Sequence, residues 1–345
     1  MTVTDETSII HAAGLPAEAV ERLLGYVNRS TAESTRRAYQ SDLADYCAFA
    51  IDRGLDPDQI TLASTADYLA TRAGEGAAVS TLERRFSGLN AVRRARGLEP
   101  LTKRHEPLAS VWKGIQRVHG RPPHRKRALV TPDLKAVLRA LPENKQGIRD
   151  KAIILIGFAG ALRRSEVVGL DWVAPKVIPE RKAVGWLIED EEGLTLRFIR
   201  SKTNTSGSEE DIALLPGRAA ETCPVRALKA WRTICHNGES AMFRSVDRHG
   251  NLGARLTDQS IALIVKRAVA RMAAGQGATE AEAQAFADAY AGHSLRSGFV
   301  TSAFRGGATE AQIMPHSRHK KVETLIGYRR EANKYADSAT RFVDL

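Results

Sequence analysis

The 345-residue sequence lacks the features that mark membrane, secreted and zinc-binding proteins. No apolar run reaches the ~18 residues of a transmembrane helix, and the polar, acidic first residues do not have the basic-then-apolar form of a signal peptide. Cysteine is scarce: Cys47, Cys223 and Cys235 form no CxxC pair. We therefore expect no membrane association, no disulfide framework, no metal site and a location in the reducing cytoplasm.

Positive charge, by contrast, is in excess. The formal net charge is +11 and the pI is about 9.7. Such a field attracts polyanions, and nucleic acid is the obvious candidate, although many basic proteins never touch DNA. An apolar fraction of 43% is enough for packed cores, and the length predicts about two domains.

The first part of the chain predicts a helical domain. Residues 1–14 are expected to be disordered, whereas residues 15–117 show helical periodicity without a convincing strand. The predicted helices begin at Pro16, cover 32–53 and 65–72, start from a capping box of Ser80 and Glu83, and start again at Pro107. Arginines lie along these helices and are candidate DNA contacts: Arg36, Arg37, Arg84, Arg85, Arg93 and Arg94.

Residues 118–129 predict a basic linker. Pro122 and Pro123 resist helix formation, and the surrounding cations resist burial. The segment is either a solvated tether or a tether that also lies on DNA phosphates. The cations concerned are Arg121, Arg125, Lys126 and Arg127.

Residues 130–345 predict a second domain that is mainly α-helical with one small antiparallel sheet, and no strand is expected before about residue 180. Thr131 is expected to cap a first helix, and an apolar helix is expected over 149–161. Segments 183–189 and 194–200 flank a polar turn and predict a hairpin, to which 211–215 can add a strand. The helices that follow include 257–273, whose Lys266 and Arg267 are candidate DNA contacts.

Side chains suited to phosphate chemistry are spread along this second domain. His293 and Arg296 are three residues apart on a predicted helix and share one face. Tyr328 is the candidate nucleophile; a free tyrosine has a pKa of about 10, so it needs cationic neighbours or a base. Cationic and acidic residues complete the set: Arg163 and His319 to hold phosphate oxygens, Lys202 to protonate the leaving oxygen, and Glu166 to hold Arg163.

In this order the residues resemble the tyrosine site-specific recombinase, or phage integrase, family, and the layout is close to its Cre-like members. Segment 160–166 looks like the first-arginine box, 200–203 the hairpin lysine, 293–296 the HxxR box and 318–328 the terminal box. The likeness spans about residues 17–345. One departure is that many members have glycine just before the last histidine, where this chain has Arg318. His316 and Tyr335 are weaker alternatives for the third histidine and the nucleophile.

The resemblance implies a two-domain, C-shaped clamp: a helical, SAM-like core-binding domain and a recombinase catalytic domain closing on double-stranded DNA. It implies a 3′-phosphotyrosine intermediate, no cofactor, and a homotetramer that joins paired inverted-repeat sites through a Holliday junction. The C-terminal segment 331–345 is expected to dock on a neighbouring protomer, with Phe342 and Val343 as its anchors. In the cytoplasm such an enzyme is expected at the nucleoid.

Three other functions are compatible with parts of the sequence. A type IB topoisomerase has a similar site but relaxes supercoils as a monomer. A DNA-binding regulator with a decayed site would bind without cleaving. A metal-dependent nuclease would use the acidic run Glu189, Asp190, Glu191 and Glu192, which falls in the predicted hairpin turn.

Overall fold

The computed structural model describes residues 16–122, 125–204, 206–235 and 238–343. The chain divides into two compact units, Met1–His124 and Arg125–Leu345. The segment 1–14, which we expected to be disordered, lies outside the described residues. None of the helices in the described ranges is both long and apolar enough to cross a membrane.

The described part of the first unit is built from helices, as the sequence predicts. Aromatic and aliphatic side chains from different helices form its core; Tyr46, Tyr68, Leu82 and Leu89 are fully buried. The helices are α1 (Ala17–Ser30), α2 (Glu33–Asp52), α3 (Leu62–Gly74), α4 (Val79–Ala95) and α5 (Leu108–His119).

Two helix starts in this unit differ from the prediction. The capping box of Ser80 and Glu83 is wrong, because α4 begins at Val79 and Ser80 already lies inside its first turn. A capping box does form on α3, where the Thr61 hydroxyl accepts from the Ser64 amide at 3.1 Å and the Ser64 hydroxyl accepts from the Thr61 amide at 3.0 Å. The pair fixes the start of α3 at Leu62, three residues before the predicted start.

The second unit packs helices around small sheets. A four-stranded sheet has the order β1-β2-β3-β4, in which β1 is parallel to β2 and the other pairs are antiparallel. Its strands are β1 (Leu170–Asp171), β2 (Val184–Glu189), β3 (Leu194–Arg200) and β4 (Glu210–Leu214), and a separate ribbon pairs β5 (Arg244–Val246) with β6 (Leu252–Arg255). The helices are α6 (Thr131–Arg139), α7 (Lys145–Ala159), α8 (Arg164–Val168), α9 (Pro224–Cys235), α10 (Asp258–Gly275), α11 (Glu280–Asp288), α12 (His293–Arg305), α13 (Glu310–Ser317) and α14 (Val322–Ala332).

The hairpin of β2 and β3 and the added strand β4 confirm the predicted antiparallel sheet. The expectation of one sheet with no strand before residue 180 is wrong in two details: β1 precedes that point, and β5 and β6 form a second sheet. Thr131 is the first residue of α6 rather than its cap, which is Val130, and α7 begins at Lys145 behind a cap by Asn144, whose side chain accepts from the Gly147 amide at 2.9 Å.

The segment predicted as a linker, 118–129, is shorter in the structure. Helix α5 continues to His119. At the other end the Arg127 amide donates to the Ala289 carbonyl at 2.8 Å, the Leu129 amide donates to the Ser294 carbonyl at 2.9 Å, and Leu129 is fully buried. An apolar side chain and paired backbone groups make the last residues of this segment part of the second unit.

Candidate active site

Helix α12 carries the HxxR pair, and two segments of the second unit pack directly against it. A Cβ at Gly298 would overlap the Leu129 carbonyl, so the segment at Leu129 lies directly against the helix backbone. On another face the Arg296 Nη1 donates to the Ala161 carbonyl at 2.7 Å. This contact ties α12 to the turn that precedes Arg163, where Ala161 adopts a left-handed φ of 47°.

The first-arginine box is fixed by a buried carboxylate, as the sequence predicts for Glu166. Arg163 lies just before α8, where its backbone amide donates to Glu166 Oε2 and its Nη1 donates to Oε1, each at 2.7 Å. Glu166 is fully buried, so its two contacts with Arg163 hold the guanidinium of that residue in a fixed orientation.

Arg296 is almost fully buried, at 1% exposed, among other cations. Burial and the neighbouring charge of Arg163 lower its pKa to about 9. Its Nη2 is buried and finds no hydrogen-bond partner among the described residues. A buried donor that lacks an acceptor costs free energy, and an anionic phosphate oxygen would satisfy it.

The candidate nucleophile lies within α14, in contact with the HxxR helix. The Tyr328 hydroxyl is 3.2 Å from His293 Nε2. Burial raises the pKa of Tyr328 even though Arg296 and Arg125 favour its phenolate, so the free protein holds the phenol. Burial and the charges of Arg296 and Arg163 lower the pKa of His293, which leaves a neutral imidazole able to accept the phenol proton.

The His319 ring is also near Tyr328, with the two ring centroids 6.1 Å apart. The Ser317 hydroxyl donates to the Ile313 carbonyl at 2.7 Å, so it accepts from His319 Nδ1, also at 2.7 Å. The neutral ring therefore has its lone pair on Nε2. Burial and the charges of Arg296 and Arg163 lower the pKa of His319 to about 3.

Lys202 is exposed, in the loop between β3 and β4. Its charge lowers the pKa of His293 less than burial and the charges of the neighbouring arginines do. The structure thus brings Arg163, His293, Arg296, His319 and Tyr328 together, whereas Lys202 forms no hydrogen bond with them within the described residues.

The two weaker alternatives occupy other environments. His316 Nε2 donates to the Ala159 carbonyl at 2.7 Å, and its ring stacks on Phe299 with centroids 4.7 Å apart, which is a packing role. Tyr335 is 81% exposed and lies beyond α14. Within the described residues neither side chain forms a hydrogen bond with Tyr328 or Arg296.

Residues that the motif did not reveal also surround the site. Arg318 donates to Glu166 from the turn before His319. Arg164 adds a charge that lowers the pKa of His293, and a Cβ at Gly327 would lie 3.5 Å from Arg125 Nη1. The sequence signal for Arg318 is its departure from glycine, whereas the sequence predicts Arg125 as a linker cation that contacts DNA and not as a neighbour of Tyr328.

Most of the arginines proposed for DNA contact in the first unit have partners within that unit. Arg84 pairs with the buried Asp42, and Arg85 pairs with Asp45 at 2.7 Å. Two further ones pair locally: Arg37 lies 2.9 Å from Glu33, and Arg93 donates to the carbonyls of Glu99 and Ile60. Arg36 is partly buried and Arg94 is exposed.

The candidates of the second unit divide in the same way. Lys126 donates to the Asp288 carbonyl at 2.6 Å, and Lys266 pairs with the Asp288 carboxylate at 2.7 Å. The Arg127 guanidinium lies over the Phe286 ring at 5.2 Å. Arg125 and Arg267 are exposed, and so is Arg121, which belongs to the first unit.

The acidic run considered for a metal-dependent nuclease forms the hairpin turn. Asp190 Oδ1 accepts from the amides of Glu192 and Gly193 at 3.1 and 2.8 Å, and Glu189 pairs with Arg232. Within the described ranges no group of three or more His, Cys, Asp or Glu side chains is arranged to hold a metal ion. The acids of this run therefore have a structural explanation as a turn.

Two family models match the chain: the phage integrase N-terminal SAM-like domain over residues 20–95, and the phage integrase family over residues 128–334. An integrase/recombinase XerD homolog of Selenomonas ruminantium is 29% identical, covering 91% of this chain and 86% of that protein. A tyrosine recombinase of Synechococcus elongatus is 28% identical, covering 86% of this chain and 84% of that one.

Solved structures show the same fold. The XerH site-specific recombinase bound to a palindromic difH substrate has a TM-score of 0.54 at 14% identity, covering 82% of this chain and 72% of that chain. A lambda integrase dimer bound to a COC′ core site has a TM-score of 0.53 at 14% identity, covering 93% and 78%. The matches across both units, together with the assembled site, show that the chain belongs to the phage integrase family and is a tyrosine recombinase, a DNA strand transferase of site-specific recombination.

Proposed function

We propose that Tyr328 cleaves DNA by attack on a phosphodiester, forming a 3′-phosphotyrosine bond and releasing a 5′-hydroxyl. The observation that carries this proposal is the 3.2 Å contact between the Tyr328 hydroxyl and the neutral His293 imidazole. A phenol needs a base at neutral pH, and this nitrogen is within hydrogen-bond distance of it. Rejoining is the same step in reverse, with the 5′-hydroxyl as the nucleophile.

The surrounding cations would stabilise the charge that develops on the phosphate. Arg163 and Arg296 are fixed from behind by Glu166 and the Ala161 carbonyl, so little reorganisation accompanies the reaction. Arg296 Nη2 is the donor available to one phosphate oxygen. Lys202, whose side chain is exposed, would protonate the departing 5′ oxygen while His293 holds the tyrosine proton. This group of cations would take the part that a metal ion has in many phosphoryl-transfer enzymes, so we propose that no cofactor is required.

We further propose that the partner is double-stranded DNA with paired inverted-repeat sites, held between residues 15–117 and 130–345 with the segment 118–129 on its backbone. Four protomers would join two sites and exchange strands in pairs through a Holliday junction, in the cytoplasm at the nucleoid. The membership of the chain in its family supports this assembly, as does a C-terminal segment with an exposed Phe342. Residues 331–345 would dock on the neighbouring protomer.

The test is trapping of the covalent intermediate. Purified protein is mixed with nicked DNA that carries the natural inverted repeats, in EDTA, and the products are separated on a denaturing gel. We expect a protein–DNA band with the wild type and none with Tyr328→Phe. Tyr335→Phe is the matched control and should retain the band, because Tyr335 is 81% exposed and outside the site. A band that persists in Tyr328→Phe, or that requires a divalent metal, would contradict the proposal.

A further inference from the structure

Arg318 stands in a backbone conformation that favours glycine. It ends α13 at φ 56° and ψ 41°, the left-handed region, directly before His319. A side chain with a Cβ adopts this conformation at a cost that glycine does not have. Contacts made by the side chain are needed to offset that cost, and the Arg318 side chain makes them in the interior of the unit.

The Arg318 guanidinium is buried between the other parts of the site. The residue is 9% exposed, its Nη2 donates to Glu166 Oε2 at 2.7 Å, and its guanidinium carbon lies 4.9 Å from the centroid of the Phe198 ring. Its Nη1 is 3.8 Å from Glu210 Oε2, at ion-pair distance. Neither of these two atoms has a hydrogen-bond partner among the described residues, so this third contact is the loosest of the three.

These contacts connect the segments that carry three residues of the proposed mechanism. Glu166 is the carboxylate that orients Arg163. Phe198 on β3 and Glu210 on β4 are cross-strand partners, the last pair of these two strands before the loop that carries Lys202. Arg318 itself is covalently next to His319. One guanidinium therefore links the Arg163 box, the base of the Lys202 loop and the His319 turn.

The charge of Arg318 has a second consequence at Glu166. Between one guanidinium and one carboxylate the charges cancel, and an Arg163 paired alone with Glu166 would present a weakened field to a phosphate. With Arg318 on the same carboxylate, the three groups carry a net positive charge. The positive charge of Arg163 is then available to the substrate although its guanidinium stays fixed.

We propose that Arg318 is a positioning residue for strand cleavage, which acts through Glu166 on Arg163 and through β3 and β4 on Lys202. The inference rests on the proposed cleavage by Tyr328. It predicts that loss of the side chain slows the chemical step and leaves the affinity for DNA unchanged, since the Arg318 side chain is only 7% exposed and its guanidinium contacts Glu166 and Phe198 within the unit.

The experiment compares Arg318→Gly and Arg318→Lys with the wild type in single-turnover cleavage of the nicked substrate. Glycine suits the left-handed backbone, so the turn is preserved; lysine keeps the charge without the planar fork. We expect Arg318→Gly to lower the cleavage rate constant about 10- to 100-fold at an unchanged half-saturating DNA concentration, the scale of effect of a misplaced group. Arg318→Lys should recover only part of this loss.

Two modified substrates show through which group Arg318 acts. A methylphosphonate at the cleaved position removes the oxygen charge that Arg163 neutralises, and a sulfur in place of the bridging 5′ oxygen leaves without the proton that Lys202 supplies. The ratio of the wild-type cleavage rate constant to that of Arg318→Gly should be smaller on at least one of these two substrates than on the unmodified one. Three results for Arg318→Gly would each overturn the proposal: an equal loss of cleavage rate on all three substrates, a wild-type cleavage rate, or a raised half-saturating DNA concentration.

The outcome is separable from a failure of the proposed function. If Tyr328→Phe still forms the covalent band, the proposed cleavage chemistry is wrong whatever Arg318 does. If the band depends on Tyr328 but Arg318→Gly cleaves at the wild-type rate, only the role of Arg318 is wrong. Thermal unfolding of each variant, measured in parallel, shows whether a slower variant is also less stable.

Discussion

Three histidines near the C-terminus, His293, His316 and His319, are held neutral by the fold. Burial is the largest cause of the lowered pKa of each, and nearby arginines add to it. The same cations that prepare the site for a phosphate therefore keep protons off its imidazoles. A neutral His293 suits a base for Tyr328, whereas a neutral His319 donates to a phosphate oxygen only after its proton moves to Nε2 or a second proton is bound.

The lowered pKa of His319 predicts an acid-sensitive fold. The unfolded histidine has a pKa of 6.5 and the folded one about 3, so between these values the unfolded state binds the extra proton. The contribution of His319 to the free energy of unfolding is therefore fully present above pH 6.5 and falls as pH decreases toward 3, by at most about 1.4 kcal/mol per pH unit for this one proton. The free energy of unfolding is measured by urea titration at several pH values between 7 and 4.5. It should fall less steeply with decreasing pH in His319→Gln than in the wild type.

The control for this titration is His249→Gln, which removes an exposed histidine of the same unit outside the site. It reports the effect of losing any histidine. Equal slopes for the wild type and His319→Gln would show that His319 is not the group whose protonation destabilises the fold.

The arginines of the first unit separate into supports of the fold and candidates for DNA contact. Arg85 pairs with Asp45 at 2.7 Å and lies 5.8 Å over the Tyr68 ring, while Arg94 is exposed. Arg85→Ala should lower the free energy of unfolding by about 1–2 kcal/mol, because it leaves a partly buried carboxylate with one partner fewer. Arg94→Ala should change stability by less than about 0.5 kcal/mol and weaken DNA binding, with the salt slope reduced by about 1.

Both variants are compared by thermal unfolding and by DNA binding across a range of salt concentrations. The pair serves as its own control, since both are arginine-to-alanine changes on α4. A large loss of stability in Arg94→Ala would contradict its assignment as a DNA contact. An unchanged stability in Arg85→Ala would contradict its assignment as a support of the fold.

At the scale of elements, the sequence predicts those helices and strands that a local pattern of apolar and polar residues determines. The hairpin of β2 and β3 was visible because apolar residues alternate on both sides of an acidic turn, and the helices were visible from their spacing. Strands β5 and β6 were missed because each is short and rich in polar residues, and β1 pairs only two residues with β2. The contact of Arg318 with Glu166 joins residues far apart in the chain, so no local pattern reports it.

The close packing of α12 gives a prediction at this scale. A methyl group at Gly298 would overlap the Leu129 backbone, which cannot move aside as a flexible side chain can. Gly298→Ala should therefore lower the free energy of unfolding by about 1–3 kcal/mol. Because the same helix carries His293 and Arg296, cleavage of the nicked substrate should slow as well, even at a temperature where the variant is folded.

Gly275→Ala is the matched control, because Gly275 ends α10 with no atom within 4 Å of an added Cβ. This change should leave stability equal or slightly higher, since alanine favours helix more than glycine does. Equal unfolding temperatures for the two variants would mean that α12 can shift away from Leu129 without cost.

At the scale of the whole molecule, the C-terminal residues expose large apolar side chains, as a few other surface positions do. Phe342 is 86% exposed and Val343 is 54% exposed, at the end of a polar segment beyond α14. Large apolar side chains at such exposure add nothing to the stability of their own chain, and an apolar surface on a partner would bury them. This is the physical basis on which the proposed docking of 331–345 between protomers can be tested.

Removal of the residues after Ser338 should abolish recombination between two sites and spare binding to a single site. We expect this because the deletion removes Phe342 and Val343 but leaves the elements that carry Arg163, Arg296 and Tyr328, the last of which ends at Ala332. Single-site binding is measured by gel mobility shift, and recombination by product formation on a plasmid with two sites. The double variant Phe342→Ala/Val343→Ala should reproduce the deletion, and Thr340→Ala, on the same exposed segment, should behave as the wild type. Unaltered recombination by the deletion variant would rule out the docking of this segment, and an equal loss of single-site binding would show that the segment acts within one protomer.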